Sequence, residues 1–429
     1  MIKTLVNAWH VAELRKKLLF TLMIVAIFRF GSVVLTVPYV NVEALRVIFD
    51  QYSQAGNMLS YFNVLTGGAL SSATLFSMSI TPYINASIII QLLTIAIPAL
   101  EKLSKEGGEE GKKKISAITR YTAVGIGLIQ GFTYYMMLQQ QSLLTKTGFW
   151  PACVIIITLT AGAALTMWLG EMITEKGIGN SVSVLLVAGI LSRIPQTIMY
   201  MVQYASQSIW YAIGMIAIVV VALALVVFVV FVNAGERRIP IQYAKRMVGR
   251  KMYGGQSTNL PMKVNMSGVM PVIFASTMLM FPGTIIGFFT PAEGTFWYGV
   301  QNFFSPTSWS YAILYTLLIV GFGFFYSMIQ FNPVEVANNL KKNGGFVMGY
   351  RPGKPTSDFL ARILSKITFI GSVYLIIVAL LPVLLGIIFG LSGITIGGTS
   401  LLIVVGVALE LFQNIEAQLM MRHYKGFLE

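Results

Sequence analysis

Ten apolar runs, each long enough to cross the hydrocarbon core of a bilayer as a helix, set the tightest limit on what this chain can fold into. A helix rising 1.5 Å per residue needs roughly 20 such residues to cross about 30 Å of hydrocarbon. The runs are Leu18–Val37, Leu75–Ile97, Ile115–Leu138, Ala152–Met172, Val182–Tyr200, Ile209–Val232, Gly268–Phe289, Tyr311–Ile329, Ile367–Phe389 and Ile394–Met420. The fifth is short and holds Arg193 and Pro195; the tenth is overlong, and its end, with Glu410 and Glu416, is expected to project into water. Lipid offers no hydrogen bonds to a bare backbone, so only helices and closed barrels cross it. The expected fold is all-α and polytopic, with ten membrane helices.

Composition supports the same reading. Only 11% of the 429 residues are charged and 56% are hydrophobic, against about 25% charged in soluble domains. That excludes an ordinary soluble enzyme, and the hydrophobicity excludes disorder. A single cysteine, Cys153, allows no intramolecular disulfide, and with only two histidines there is no zinc cluster. The net charge is +14. On a membrane protein such an excess points to cytoplasmic loops rich in Lys and Arg. An even number of spans puts both termini on one side; that side carries 26 Lys and Arg, the other three (Arg46, Lys146, Arg193), and Arg29 lies inside span one. Both termini are therefore expected in the cytoplasm. Arg15–Lys17 before the first run resemble a signal peptide's start, but the run is too long and lacks a cleavage site, so it reads as a retained helix.

Four features go beyond a plain bundle. Residues 57–72, NMLSYFNVLTGGALSS, precede span two on the outer side and are too short and too rich in Gly and Ser to cross. They suit either an interfacial helix or a re-entrant segment buried in protein. Span two carries Thr81, Asn85, Ser87, Gln91 and Thr94 beside Pro82. Polar groups in lipid are costly, so these face other helices or a water-filled path. Two long cytoplasmic loops, 233–265 and 331–366, are strongly basic, with pairs at Arg237/Arg238, Lys245/Arg246 and Arg250/Lys251. Contact with anionic lipid is worth about 1 kcal/mol per basic residue, but it does not call for such length. A docking surface for something acidic, a ribosome or a large cytosolic protein, explains both. The fourth feature is an absence: there is no P-loop spacing, no HExxH, and His10 and His423 lie near the termini. Arg29 is the one charge well inside a span and is read as facing protein or water and helping to hold the bundle.

Several motifs in a fixed order then carry a family resemblance along essentially the whole chain. TLFSMSITPYINASIIIQLL (Thr74–Leu93) is similar to the first signature of the SecY family, with Ser79 where a glycine is usual. MWLGEMITEKGIGNSVSVLL (Met167–Leu186) resembles its second signature, with Ser181 in place of a glycine. The loop sequences RRIPIQYAKR, GGQSTNLPMKVN and FVMGYRPGKPT and the C-terminal GGTSLLIVVGVALE match as well, whereas the family's IPxPG reads TVPYV at Thr36–Val40.

The resemblance implies a protein-conducting channel: two pseudo-symmetric halves of five helices, residues 1–200 and 201–429, around an hourglass pore. Residues 57–72 would be its plug, with Phe62, Leu65, Gly67, Gly68 and Leu70. The constriction would be Ile80, Ile84, Leu186, Ile190, Ile273 and Ile403. A lateral gate would carry Asn85, Ser87, Gln91, Ser276 and Thr277. Arg351 matches the position most tied to the motor ATPase and the ribosome, with Arg237, Arg238, Lys245, Arg246, Arg250 and Lys251 sharing that docking. The implied partners are the small subunits SecE and SecG, the SecA motor, the ribosome, signal sequences, unfolded preproteins and anionic lipids, in a bacterial plasma membrane. No enzyme activity, cofactor or metal is expected. A secondary transporter of small solutes is the alternative, disfavoured by the lack of midplane charges and by the oversized basic loops; an intramembrane enzyme would need a nucleophile–base pair or metal ligands that no span supplies.

Overall fold

The computed structural model describes residues 8–54, 58–206, 208–243, 246–248, 251–253, 257–289, 294–305, 308–389 and 398–425. In chain order the elements are helices α1 (Ala12–Val33), α2 (Val42–Gln54), α3 (Met58–Leu65), α4 (Thr81–Ala96), α5 (Pro98–Glu106), α6 (Gly108–Gln140), α7 (Phe149–Lys176), α8 (Ser181–Ala205) and α9 (Ile209–Ala234). Strands β1 (Glu236–Tyr243), β2 (Arg246–Val248), β3 (Lys251–Tyr253) and β4 (Ser257–Lys263) follow. Then come α10 (Met270–Phe288), α11 (Phe296–Phe303), α12 (Trp309–Gln330), α13 (Pro333–Lys342), β5 (Gly345–Val347), α14 (Lys354–Phe389) and α15 (Gly398–Lys425).

Every one of the ten apolar runs falls on a helix: α1, α4, α6, α7, α8, α9, α10, α12, α14 and α15. Among the described residues, six helices are by themselves long and apolar enough to cross a membrane, and the α4–α5 pair makes a seventh if a bent pair is one span. The remaining runs are on α1, where Lys16, Lys17 and Arg29 interrupt the apolar residues, on the Gly- and Tyr-rich α6, and on the short α10.

The packing repeats itself. Span one (α1) rests on spans four and five (α7, α8), two (α4) on three (α6), three on four, and four on five. Span six (α9) rests on nine and ten (α14, α15), seven (α10) on eight (α12), eight on nine, and nine on ten. The two sets meet where α8 packs on α9 and α15, and where α10 packs on α4 and α6. One large apolar cluster runs through this junction and includes residues of α1, α3, α4, α6–α10, α12, α14 and α15.

Two stretches differ from the sequence expectation. Span two does not begin at Leu75: residues 66–80 are a chain of turns, and the helix starts at Thr81. Pro82 explains the start, since its ring fits the first helical turn, where the missing N–H has no partner to lose. The same logic ends the helix, because Pro98 opens α5 and the chain bends there by 104°. The irregular stretch holds its place by close approach: a Cβ at Gly162 of α7 would collide with the Leu75 carbonyl. Both of the sequence's departures from the SecY-like pattern on this side leave a non-glycine residue in left-handed backbone, Tyr39 at φ 67° and Ser79 at φ 49°.

The two long basic loops contain strands. Strand β1 pairs antiparallel with β4, and through Ile241↔Val347 and Tyr243↔Gly345 with β5 of the other loop, giving the sheet order β4-β1-β5. Alternation in ERRIPIQY turns Ile239 and Ile241 inward and leaves Arg238 and Pro240 exposed. Together with Met262, Val347, Leu360 and Leu364 they form a second apolar core. The two loops are one platform.

Left-handed backbone costs a non-glycine residue about 1–2 kcal/mol, and the Ser79 hydroxyl is buried with no hydrogen-bond partner among the described residues. Ser79→Gly is therefore expected to raise unfolding stability in detergent by about 1 kcal/mol; an unchanged or lower melting temperature contradicts this account of the turn.

Candidate functional site

The segment before span two folds back into the protein. Leu59, Phe62 and Leu65 recur every three residues on α3 and are buried, because α3 packs between α8 and α10 with α2 over it. The turn after it is closed by one residue. Asn63 accepts the Gly68 N–H with its carbonyl at 2.8 Å and the Ser71 N–H with its side-chain oxygen at 2.9 Å. Gly67 and Gly68 both take positive φ, 68° and 85°, a region open to glycine because it has no Cβ. Gly67 also lies against Gly189 of α8: a Cβ on Gly67 would stand 3.0 Å from the Gly189 Cα. The chain continues through a bridge between Thr36 and Thr74 and a Tyr134 hydroxyl that donates to the Leu70 carbonyl at 2.9 Å.

On the polar side of this turn lies a cavity of about 320 Å³, whose charged lining is Arg29, Arg46, Asp50 and Arg193. Arg46 donates to the Ser72 hydroxyl at 3.3 Å. Arg29 donates to the Gly67 carbonyl at 3.2 Å.

On the apolar side are the six aliphatic residues singled out from the sequence. Ile80 and Ile84 sit at the start of α4, Leu186 and Ile190 on α8, Ile273 on α10 and Ile403 on α15. All six are buried, none more than 6% exposed, and all belong to the one cluster that also holds Leu59, Phe62, Leu65 and Leu70 of the re-entrant segment. None faces outward.

The polar residues of span two divide. Gln91 donates to the Ser87 hydroxyl at 3.1 Å and accepts the Tyr326 hydroxyl of α12 at 2.7 Å. That bond joins spans two and eight across the line where α10 packs on α4 and α6. Asn85 is buried beside them with its amide nitrogen unpaired among the described residues. Ser276 and Thr277 are also buried, but their hydroxyls donate back to the Ile273 carbonyl of their own helix, at 2.9 and 2.8 Å, so they do not bridge helices. Tyr326 escaped the sequence reading. Its only signal is a phenol in the aromatic run GFGFFY of span eight; the ring packs edge-on against Phe274 of α10.

The basic residues lie on the platform. Arg237 and Arg238 are exposed on β1, and Arg238 pairs with Glu236 at 2.6 Å. Arg351 is exposed in the turn between β5 and α14. Its backbone is pinned by the Thr356 hydroxyl, which donates to the Arg351 carbonyl at 2.8 Å, and by Tyr350 stacked on Phe359. Arg246 and Lys251 belong to the β2–β3 hairpin, whose register pairs Arg246 with Tyr253 and Val248 with Lys251. Lys245 and Arg250 lie outside the described residues. Among the described residues no group of His, Cys, Asp and Glu could hold a metal ion.

With this geometry in hand, comparison with known proteins gives consistent matches. The family model described as SecY matches residues 74–412. The chain is 43% identical over 439 residues to the protein translocase subunit SecY of Bacillus subtilis and 41% identical over 440 residues to that of Streptomyces coelicolor, in each case over the full length of both chains. Among solved structures it superposes on a protein-conducting channel with TM-score 0.65 at 17% identity, covering 94% of this chain and 92% of that one. A Sec61 chain from a canine ribosome–channel complex gives TM-score 0.62 at 16% identity with the same coverage.

Hydrogen bonds between membrane helices average about 0.6 kcal/mol. Tyr326→Phe is expected to lower unfolding stability in detergent by about that amount; a variant as stable as the original would remove the bond from the account.

Proposed function

The chain belongs to the SecY family, and on that premise we propose that it is the pore-forming subunit of a protein translocase, passing unfolded secretory polypeptides across the plasma membrane and releasing apolar segments sideways into lipid. The observation that carries the reading is the buried cluster of Ile80, Ile84, Leu186, Ile190, Ile273 and Ile403 from four helices, continuous with the re-entrant segment. A passage wide enough for an extended peptide would leak ions if polar groups lined it. Branched apolar side chains dewet a narrow gap and raise a desolvation barrier to ions, yet they make no specific bonds to a passing chain. Residues 57–72 serve as the plug, and the packing of α3 between α8 and α10 supports this.

The two sets of five spans act as halves, residues 1–200 and 201–429; the repeated packing supports this division. The seam between them, at α4, α10 and α12, is the lateral exit. Gln91, Ser87 and Asn85 are its polar lining, whereas Ser276 and Thr277 shape α10 from within. A signal sequence entering lipid there recovers about 25 cal/mol per Å² of apolar surface.

The subunit is not an enzyme; a partner supplies the energy. Both termini and the platform face the cytoplasm, where Arg351 and the basic β1 strand receive the SecA motor or the ribosome. SecE and SecG complete the complex, and anionic lipids contact the remaining basic side chains. Supporting the platform role is its rigidity: two loops share one sheet and one core.

Two measurements test this. Replacing Ile80, Ile190 and Ile403 together with Gly is expected to raise resting ion conductance in planar bilayers at least tenfold; unchanged conductance removes the waist from the mechanism. Arg351→Glu is expected to cut motor-driven import of a presecretory protein into vesicles severalfold while assembly with the small subunits stays normal; wild-type import rates would refute the docking role.

A further inference from the structure

Two guanidinium groups reach consecutive residues of the re-entrant turn from two different helices. Arg29, on α1, donates to the Gly67 carbonyl at 3.2 Å. Arg193, on α8, lies flat against Gly68, where a Cβ would stand 3.0 Å from both its Cζ and its Nε. Both glycines adopt left-handed backbone, so the turn's shape and its bare Gly68 face are what let the arginines approach. Arg193 is held in turn by the side chain of Gln196 one turn further along α8. An arginine in a span is expensive unless it faces protein or water, and these two face the polar cavity described above.

The distribution of ties is lopsided. The Arg29 hydrogen bond from α1, the close packing of Arg193 from α8 on Gly68 and the Tyr134 bond to the Leu70 carbonyl all come from the first five spans. From the second five spans, α10 supplies apolar packing on α3. Separating α10 from α3 removes packing but leaves the polar straps in place.

We propose that Arg29 and Arg193 form a latch on the Gly67–Gly68 turn. It keeps the plug seated on the first half and returns it there after the two halves have parted. The latch is reversible because its donors line a polar cavity, so water replaces the Gly67 carbonyl when the turn leaves. This inference rests on residues 57–72 acting as the plug.

The test uses the full complex with its small subunits in planar bilayers, reading how often a resting channel opens. Arg29→Gln with Arg193→Gln should raise opening about tenfold or more, the size expected for one lost charge-assisted hydrogen bond. Arg29→Lys, which retains a donor, should recover part of the closure. Deleting residues 58–72 should raise opening by itself, and adding the two Arg→Gln changes to that deletion should add nothing. Gly68→Ala leaves both arginines in place but sets a Cβ against Arg193 and strains the left-handed turn, so it should also raise opening; the single Arg29→Gln change, which leaves that backbone untouched, decides the matter if the double variant fails to assemble. Normal closure in the double variant or in Gly68→Ala, with the deletion leaky, would overturn the latch alone. An equal rise with and without residues 58–72 would overturn it too. A deletion that leaves conductance unchanged would overturn the plug reading and the latch together.

Discussion

Backbone that leaves a helix within a membrane must find its hydrogen bonds inside the protein, and residues 66–80 are where this chain meets that demand. The N–H groups of Thr66, Gly67, Gly68, Ala73, Thr74, Ser77 and Ser79 are satisfied by carbonyls a few residues back. The Leu75 N–H reaches Leu35 at 2.7 Å and the Val37 N–H reaches Ala73 at 2.8 Å, so the segment is stitched to the end of span one. Asn63, Tyr134 and Arg29 take up groups that the backbone cannot. With these groups occupied, and the Ser79 hydroxyl left unpaired among the described residues, the segment presents Leu59, Phe62, Leu65 and Leu70 to the aliphatic cluster. Were those bonds broken, an unpaired polar group would lie beside the apolar waist, at a cost of about 1–3 kcal/mol each.

The aliphatic cluster and the polar link to α12 place opposite requirements on one helix. Ile80 and Ile84 face the apolar cluster, while Ser87 and Gln91, further along α4, carry the polar link to Tyr326. Short α4 suits this double duty. Sixteen helical residues extend about 24 Å, and the turns before it let Ile80 approach Gly170 of α7, where a Cβ would stand 3.3 Å from the Ile80 methyl.

Much of the fold was legible in the sequence because its signal is repetitive. Run length and the Lys/Arg imbalance are summed over many residues, and a single exception such as Arg29 does not disturb them. The six aliphatic residues were legible only through motif resemblance, since an isoleucine in a membrane helix announces nothing alone. What stayed hidden rests on single long-range contacts. The Tyr326–Gln91 bond joins positions 235 residues apart. Arg193 looked like a blemish in a short span, and its meaning depends on a glycine face that only the folded turn exposes. Strand β5 is three residues long, too short for alternation to show. The start of α4 was misplaced by six residues because Leu75–Ile80 is as apolar as the helix that follows.

The sheet that joins the two basic loops has a mechanical corollary. Strands β1 and β4 are wired to the ends of α9 and α10, and β5 lies between α12 and α14; Lys263 at the end of β4 also donates to Gln413 of α15 at 2.8 Å. A thrust delivered anywhere on that slab is passed to α9, α10, α12, α14 and α15 together. The first five spans are reached through α15, whose Gln418 accepts from Lys17 of α1 at 3.4 Å and whose Ile415 packs with Leu14 and Ile178. The slab is thus a single handle on the second five spans, and a pull on it reaches the first five at the foot of α15.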